Sequence, residues 1–372
     1  MIRILHSVSY LNRGGIETML MNYYRHIDRS KVQFDFLCNS YSKGAYDDEV
    51  ISLGGRIFRT PGFNPLKHFA YKKYMQQLFY DHPEYKIIEA HNGPLGRFAL
   101  KSAKDNRIPI RIYHAHNAAL AFDIKWPIKY YCMKTLKYSM THHFTCGIKA
   151  GEFFYGKKIM DSGEYTIIPN AIDINRFTYS EDVRNNIRTK YNLNDKQVIG
   201  LVANFVKSKN HKFLIEVFAQ VHKQNPNAVL VLLGGGIYFN DIKKLVASKS
   251  LQDYVIFTGA VSNANEWYQA FDIFVMPSLW EGLPVVGVEA QAADLPCIFS
   301  TAVTNEIKVD DTTQFFDLKM PAEEWAKKIN SILHNLPERK NNYQLITDHN
   351  YNIETEAVKL QNLYIDLYNS IK

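Results

Sequence analysis

The segment Val229-Leu230-Val231-Leu232-Leu233 is the strongest constraint on how this chain can fold. Five consecutive apolar residues leave no polar face, so a strand made of them must be covered on both sides. Strands of that kind belong to parallel sheets, whose crossover helices lie on both faces. The rest of the sequence follows suit, with strand-like and helix-like segments alternating from end to end. Strands are expected at 2–8, 32–38, 86–90, 110–114, 143–146 and 165–168, then at 198–203, 228–233, 255–258, 273–276 and 297–300. The pattern describes an α/β chain of two doubly wound, Rossmann-like halves, with a cleft implied between them. A length of 372 residues suits two domains.

The stretch Ile168-Pro169-Asn170-Ala171-Ile172-Asp173-Ile174-Asn175-Arg176-Phe177 is turn-rich and leads into charged sequence as far as Asn194. The domain junction is expected there, which gives a first domain of 1–168, a second of 169–353 and a closing segment of 354–372. In that last segment Ala357, Leu360, Leu363, Tyr364 and Leu367 recur at helical spacing.

Hydrophobic residues at 46% and charged residues at 22% are globular values, which argues against disorder. No apolar run reaches the length of a membrane span, and Met1–His6 lacks the core of a signal peptide. Cys38, Cys132, Cys146 and Cys297 are scattered, without a Cys-x-x-Cys, so neither a zinc site nor a disulfide framework is suggested. A reducing cytoplasm fits that usage. The charge is uneven. Residues 1–165 hold 24 Lys and Arg against 14 Asp and Glu, a balance of +10, and residues 166–372 hold 20 against 23, a balance of −3. A basic first half suits an anionic partner (nucleic acid, a membrane surface or a phosphorylated acceptor) or is an ordinary solvated surface. No nucleic-acid-binding module is recognisable, and no nucleic acid is expected as partner.

Several segments carry chemistry. Pro277-Ser278-Leu279-Trp280-Glu281-Gly282-Leu283-Pro284-Val285-Val286-Gly287-Val288-Glu289-Ala290 follows the apolar run Ile273–Met276. Pro284 suits the first turn of a helix, where its missing N–H costs nothing. Glu281 then lies in a strand-to-helix loop, where open α/β sheets bind ligands, and Glu289 lies more than a turn inside the helix. Asn12-Arg13-Gly14-Gly15-Ile16-Glu17-Thr18 follows the first strand and opens a helix with Ile16, Met19, Leu20, Tyr23 and Ile27 on one face. Gly14 and Gly15 would let a phosphate approach free N–H groups at the helix start, or form a plain tight turn. Gly234-Gly235-Gly236 is a flexible turn, or a place where a second domain or a nucleotide packs against a strand end. Lys207 and Lys209 follow a strand and can reach a phosphate, or are surface lysines. His91, His114 and His116 end apolar strands. His114 and His116 would share one face with no third metal ligand nearby, so sugar hydrogen bonding or a satisfied core role is expected rather than metal.

Together, and in order along almost the whole chain, these pieces resemble the GT-B glycosyltransferases, and within them the large retaining family 4. Gly14-Gly15-Ile16-Glu17 resembles the family's N-terminal glycine loop, His116-Asn117 its N-domain active-site histidine, and Pro169-Asn170-Ala171-Ile172-Asp173 its Pro-Asn-Gly-Val-Asp hinge. Glu281 to Glu289 matches its Glu-x7-Glu motif. Lys209-Asn210-His211 and Tyr113-His114-Ala115-His116-Asn117 look most like bacterial exopolysaccharide and capsule transferases. The resemblance implies that the N-H of Gly15, beside Gly14, contacts the donor diphosphate and that Lys209 neutralises it. Glu289 would accept from the ribose hydroxyls, and Glu281 with Gly282, Leu283 and Pro284 would hold the hexose. His116 would touch the sugar from the first domain, and Phe257-Thr258-Gly259 would lie near the base. It also implies a closing helix that returns to the first domain.

One departure is at Asn204, where the family usually has an arginine that clamps the diphosphate with the lysine. Either Lys207 or Arg13 compensates, or the site is weakened. Asp294 stands where the family often has glycine. No Asp-x-Asp occurs, in keeping with a donor site that needs neither metal nor cofactor. The implied reaction is retaining transfer of a hexose from a UDP-sugar to a glycan acceptor, expected to be lipid-linked. The lysine and aromatic residues of 126–138 suit an anionic membrane surface or an ordinary helix, so the expected location is the cytoplasm or the inner face of the membrane. Two other readings stand beside this one: a catalytically silent transferase-like binding subunit and a UDP-sugar 2-epimerase.

Overall fold

Every expected strand is present, with each end within one residue of its expected place, in the computed structural model, which describes residues 1–60, 68–120 and 124–371. The chain divides into two compact units, one of residues 1–171 with 353–372 and one of residues 172–352. The first is built on β1 (Ile2–Val8), β2 (Val32–Cys38), β3 (Ile57–Arg59), β4 (Ile87–Ala90), β5 (Ile110–Ala115), β6 (His142–Thr145) and β7 (Thr166–Ile167). They form one parallel sheet in the order β3-β2-β1-β4-β5-β6-β7. The second holds β8 (Gln197–Val202), β9 (Ala228–Leu233), β10 (Val255–Gly259), β11 (Ile273–Met276), β12 (Cys297–Ser300) and β13 (Thr313–Phe316), in the order β10-β9-β8-β11-β12-β13.

Both strand orders reverse direction once, between β1 and β4 in the first sheet and between β8 and β11 in the second. Reversal means that the crossover loops on either side of the break lead away from each other. A crevice opens there at the carboxyl ends of the strands. The central strands are mostly closed to solvent, and β9 is apolar and buried along its whole length. The helix Ile353–Asn369 belongs to the first unit, where it packs against the helix Gly15–His26. Its Ala357, Leu360 and Tyr364 are buried.

Two glycines and one aspartate explain local turns. Gly234 and Gly236 have φ of +135° and +149°, and a Cβ on either would fall 2.1 Å from the Ala203 carbonyl oxygen or 2.7 Å from the Phe205 nitrogen. The partner that packs against this glycine loop is thus the segment after β8, and Phe205 N–H donates to the Gly235 carbonyl at 2.8 Å. Asp294 has φ +53°, a left-handed turn that glycine would enter without strain. Here the carboxylate compensates by accepting from Lys340 N–H and from Asn342 Nδ2, the latter at 2.6 Å.

Candidate functional site

In the second unit the functional segments flank the reversal point. The loop after β8 carries Asn204 and a short helical turn, Lys207–Lys209. The loop after β11 carries Glu281 and leads into the helix Val285–Ala292. Because β8 and β11 are neighbours, the loops meet: Leu279 N–H donates to the Ser208 carbonyl at 2.7 Å. Lys209 Nζ lies 2.6 Å from Glu281 Oε1, with 19% and 13% of the side chains exposed. The cation and the carboxylate are held together, sheltered yet reachable. Asn204 and Lys207 are exposed beside them. His211 is buried, stacks on Phe205 with ring centroids 4.1 Å apart, and is pushed down to about 4 by burial and then by the Lys209 charge.

Pro284 sits at the cap of the helix Val285–Ala292 rather than inside its first turn, and Gly282, Leu283 and Pro284 are buried. Glu289, five residues into that helix, is 8% exposed. Tyr268 donates its hydroxyl to Glu289 Oε2 at 2.7 Å. Burial pushes the Glu289 carboxyl up to about 7, against the opposing pull of Tyr268 and Arg176. Sequence reading gave Tyr268 no role. It comes from the helix Ala264–Ala270, before β11, and no motif marks it. Gly259 ends β10 with φ +71°, and its carbonyl accepts from Gly234 N–H at 2.9 Å, which joins two of the glycine turns.

In the first unit the glycine loop also sits beside a reversal point. Gly14 caps the helix Gly15–His26, Gly15 is exposed, and a Cβ on Gly15 would meet nothing within 4 Å. Its backbone is open to an approaching group. Glu17 in the first turn is pushed up to about 7 by burial. Its carboxyl therefore weakens the positive end of this helix less than an ordinary glutamate would.

The histidines lie closer together than their places in the sequence imply. His114 and His116 were expected to have no third ligand nearby, but one nitrogen from each of His91, His114 and His116 lies within 4.8 Å of the other two. The register supplies it. Ala90 pairs with Tyr113, so the residues that follow, His91 and His114, come level. His91 Nδ1 lies 3.0 Å from His116 Nε2, and His6 Nδ1 lies 3.0 Å from His91 Nε2. His114 Nδ1 lies 2.8 Å from Glu89 Oε1, and Tyr364 donates to Glu89 Oε2 at 2.5 Å. His114 is not a fully satisfied core residue, since its Nε2 is buried without a hydrogen-bond partner. Burial holds all four imidazoles neutral, His6 at about 4, His114 at about 3 and the others well below their ordinary value.

The segment 126–138 forms the helix Trp126–Thr135 and a short turn, Leu136–Tyr138. Tyr130, Tyr131 and Tyr138 are exposed, and Lys134 and Lys137 sit over the rings of Tyr130 and Tyr138. Behind them lies a cleft of about 300 Å³, lined by Met133, Lys134, Leu136, Lys137, Phe153 and Tyr155 among others. Among the described residues, no helix is long and apolar enough to cross a membrane.

Residues 13–176 match the model of the family described as Glycosyltransferase Family 4, and residues 183–344 match that of Glycosyl transferases group 1. The chain is 32% identical, over 97% of its length and 96% of the relative's, to the glycosyltransferase candidate EpsF of Bacillus subtilis (strain 168). It is 25% identical, over 76% of each chain, to the UDP-Gal:alpha-D-GlcNAc-diphosphoundecaprenol alpha-1,3-galactosyltransferase of Escherichia coli. The crystal structure of Anabaena Alr3699/HepE in complex with UDP and glucose has the same fold, with a TM-score of 0.73 and 18% identity over 100% of both chains.

Proposed function

The chain belongs to the GT-B glycosyltransferases, and from that premise we propose that it transfers a hexose from a UDP-sugar to a lipid-linked glycan, with retention at the anomeric carbon. The observation that carries the reading is the Lys209–Glu281 pair at the reversal point of the second sheet, with Glu289 on the helix that the same loop feeds. A diphosphate entering there takes Lys209 as its counter-charge, and Glu281 turns to the hexose hydroxyls. Glu289 accepts from the ribose diol, a pair of donors that suits a carboxylate. In the first unit, the open backbone at Gly15 suits a phosphate oxygen and His116 suits a sugar hydroxyl.

The acceptor hydroxyl attacks the anomeric carbon on the face from which UDP departs. The bond from that carbon to the diphosphate oxygen breaks, the new glycosidic bond forms, and the departing oxygen takes the hydroxyl proton. An α-linked donor thus gives an α-linked product with no protein nucleophile. Negative charge grows on the diphosphate as the bond breaks, where Lys209 and backbone N–H groups are already in place. Losing one such donor costs about 10²–10³ in rate. Lys209 makes a divalent ion unnecessary at this step.

Two observations support the donor: the HepE structure holds UDP and glucose, and the E. coli relative is named for UDP-Gal. That relative's acceptor is carried on diphosphoundecaprenol. Here, the basic first half, the tyrosines and lysines of 126–138 and the cleft behind them suit an anionic, lipid-borne acceptor at the inner membrane surface. Asn204 favours a second reading. A neutral amide replaces a clamping cation, which suits a subunit that binds its ligand without turnover.

The test is turnover of UDP-glucose, UDP-galactose and UDP-N-acetylglucosamine by purified protein, with and without lipid-linked acceptor and EDTA. Release of UDP from one donor that depends on acceptor and resists EDTA is expected, with a loss of at least about 100-fold in Lys209→Ala. A β-linked product would overturn retention. Donor isomerisation without acceptor would indicate an epimerase. UDP binding with no turnover of any donor would favour the silent subunit.

A further inference from the structure

We infer that the first unit holds a zinc-class metal site in which His91, His114 and His116 are the ligands. The inference shares His116 with the proposed sugar contact, but its metal-binding test does not rest on the transferase reading.

Three features converge. The first is spacing. Tetrahedral zinc with bonds of about 2.0–2.1 Å to imidazole nitrogens sets those nitrogens about 3.3 Å apart. His91 Nδ1 and His116 Nε2 are already 3.0 Å apart, and His114 places a nitrogen within 4.8 Å of its two neighbours.

The second feature is the outer layer. Metal-bound histidines usually donate their remaining N–H to a carboxylate or another acceptor, which fixes the tautomer. His114 Nδ1 faces Glu89 Oε1 at 2.8 Å, the geometry of an Nδ1–H that donates to the carboxylate when Glu89 is ionised. The lone pair then sits on Nε2, the nitrogen left buried without a partner. His91 is held in the same manner, with its Nε2 against His6 Nδ1 at 3.0 Å. Glu89 is itself oriented by the Tyr364 hydroxyl.

The third feature is charge. Glu89 is 2% exposed, and its partners are imidazoles and a phenol; among the described residues no lysine or arginine pairs with it. A buried carboxylate without a counter-charge is costly. A divalent ion one imidazole away supplies that charge. His91 and His114 are closed to solvent while His116 is half-buried, so entry runs past His116. Metal on its Nε2 would leave Nδ1–H of His116 as a donor. The fourth coordination position falls to water.

The test uses the full chain without a polyhistidine tag. It is stripped with chelator and then dialysed against buffered micromolar Zn²⁺. One zinc per chain is expected in wild type, with binding lost in His91→Ala and weakened about 10–100-fold in the near-isosteric Glu89→Gln. One equivalent of Co²⁺ should also give wild type the visible absorption of a low-symmetry, nitrogen-bound ion. That reading needs no variant to fold. Absence of the cobalt band, less than one zinc per wild-type chain, or equal zinc affinity of folded wild type and Glu89→Gln in a chelator competition would each overturn the inference.

Discussion

At Glu289 the side chain that suits a ribose is also one that the fold finds costly to ionise. Its carboxyl sits at about 7 in the folded protein against an ordinary 4.5, because burial penalises the charged form. The folded state therefore keeps a proton that the unfolded chain releases. That stability is fully present below about 4.5 and is lost as pH rises through 7. Glu289→Gln cannot ionise and escapes the loss. Thermal melts at pH 5 and pH 8 should show the variant gaining on wild type as pH rises; a constant offset would refute the assignment. Affinity for a UDP-sugar should rise over the same interval in wild type and stay flat in the variant. Glu281 and Glu289 were legible because both lie on one continuous segment behind an apolar strand. Tyr268 was not, and neither was the approach of His91 to His114, since strand register brings those residues together and no stretch of sequence contains it.

Among the elements, the strands that escaped sequence reading are β3 and β13, each at the outer edge of its sheet. Ile57–Arg59 is half-buried throughout, and Gln314 in β13 is exposed. Edge strands are short and covered by fewer neighbours, so they need no apolar run to announce them. The interior strands do need one and were found, as were the opposite edges β7 and β10, where Ile167 and the run Val255–Phe257 supply apolar residues. The glycine turn after β9 is readable as a turn, but its partner is not. Gly234→Ala should drive a Cβ into the Ala203 carbonyl, 2.1 Å away, at a φ of +135° that L side chains avoid. We expect a cost of at least about 2–3 kcal/mol in chemical denaturation. We also expect weaker nucleotide binding, because Lys209 follows the displaced segment. Retention of both properties would show that the turn tolerates a side chain.

For the whole molecule, the closing helix ties residue 364 to residue 89 within one unit. Tyr364→Phe removes the hydroxyl that Glu89 accepts from and leaves a buried oxygen short of a donor, at about 1–3 kcal/mol. Hydrogen exchange should show faster opening of the strands of the first unit, with β8, β9 and β11 in the second unchanged. Equal loosening of both units would mean that they unfold as one. The chain order has a further consequence. The second unit is an insertion within the first, and its two ends are joined side by side by the bridge of Ile172 with Asn352. On the ribosome the first sheet is synthesised early, yet it waits for its last helix until the inserted unit has also been synthesised. The inserted unit, complete before then, can fold first. By bringing its own ends together it delivers the late helix as a neighbour rather than as a distant segment, so the unit begun first is completed after the one inserted in it.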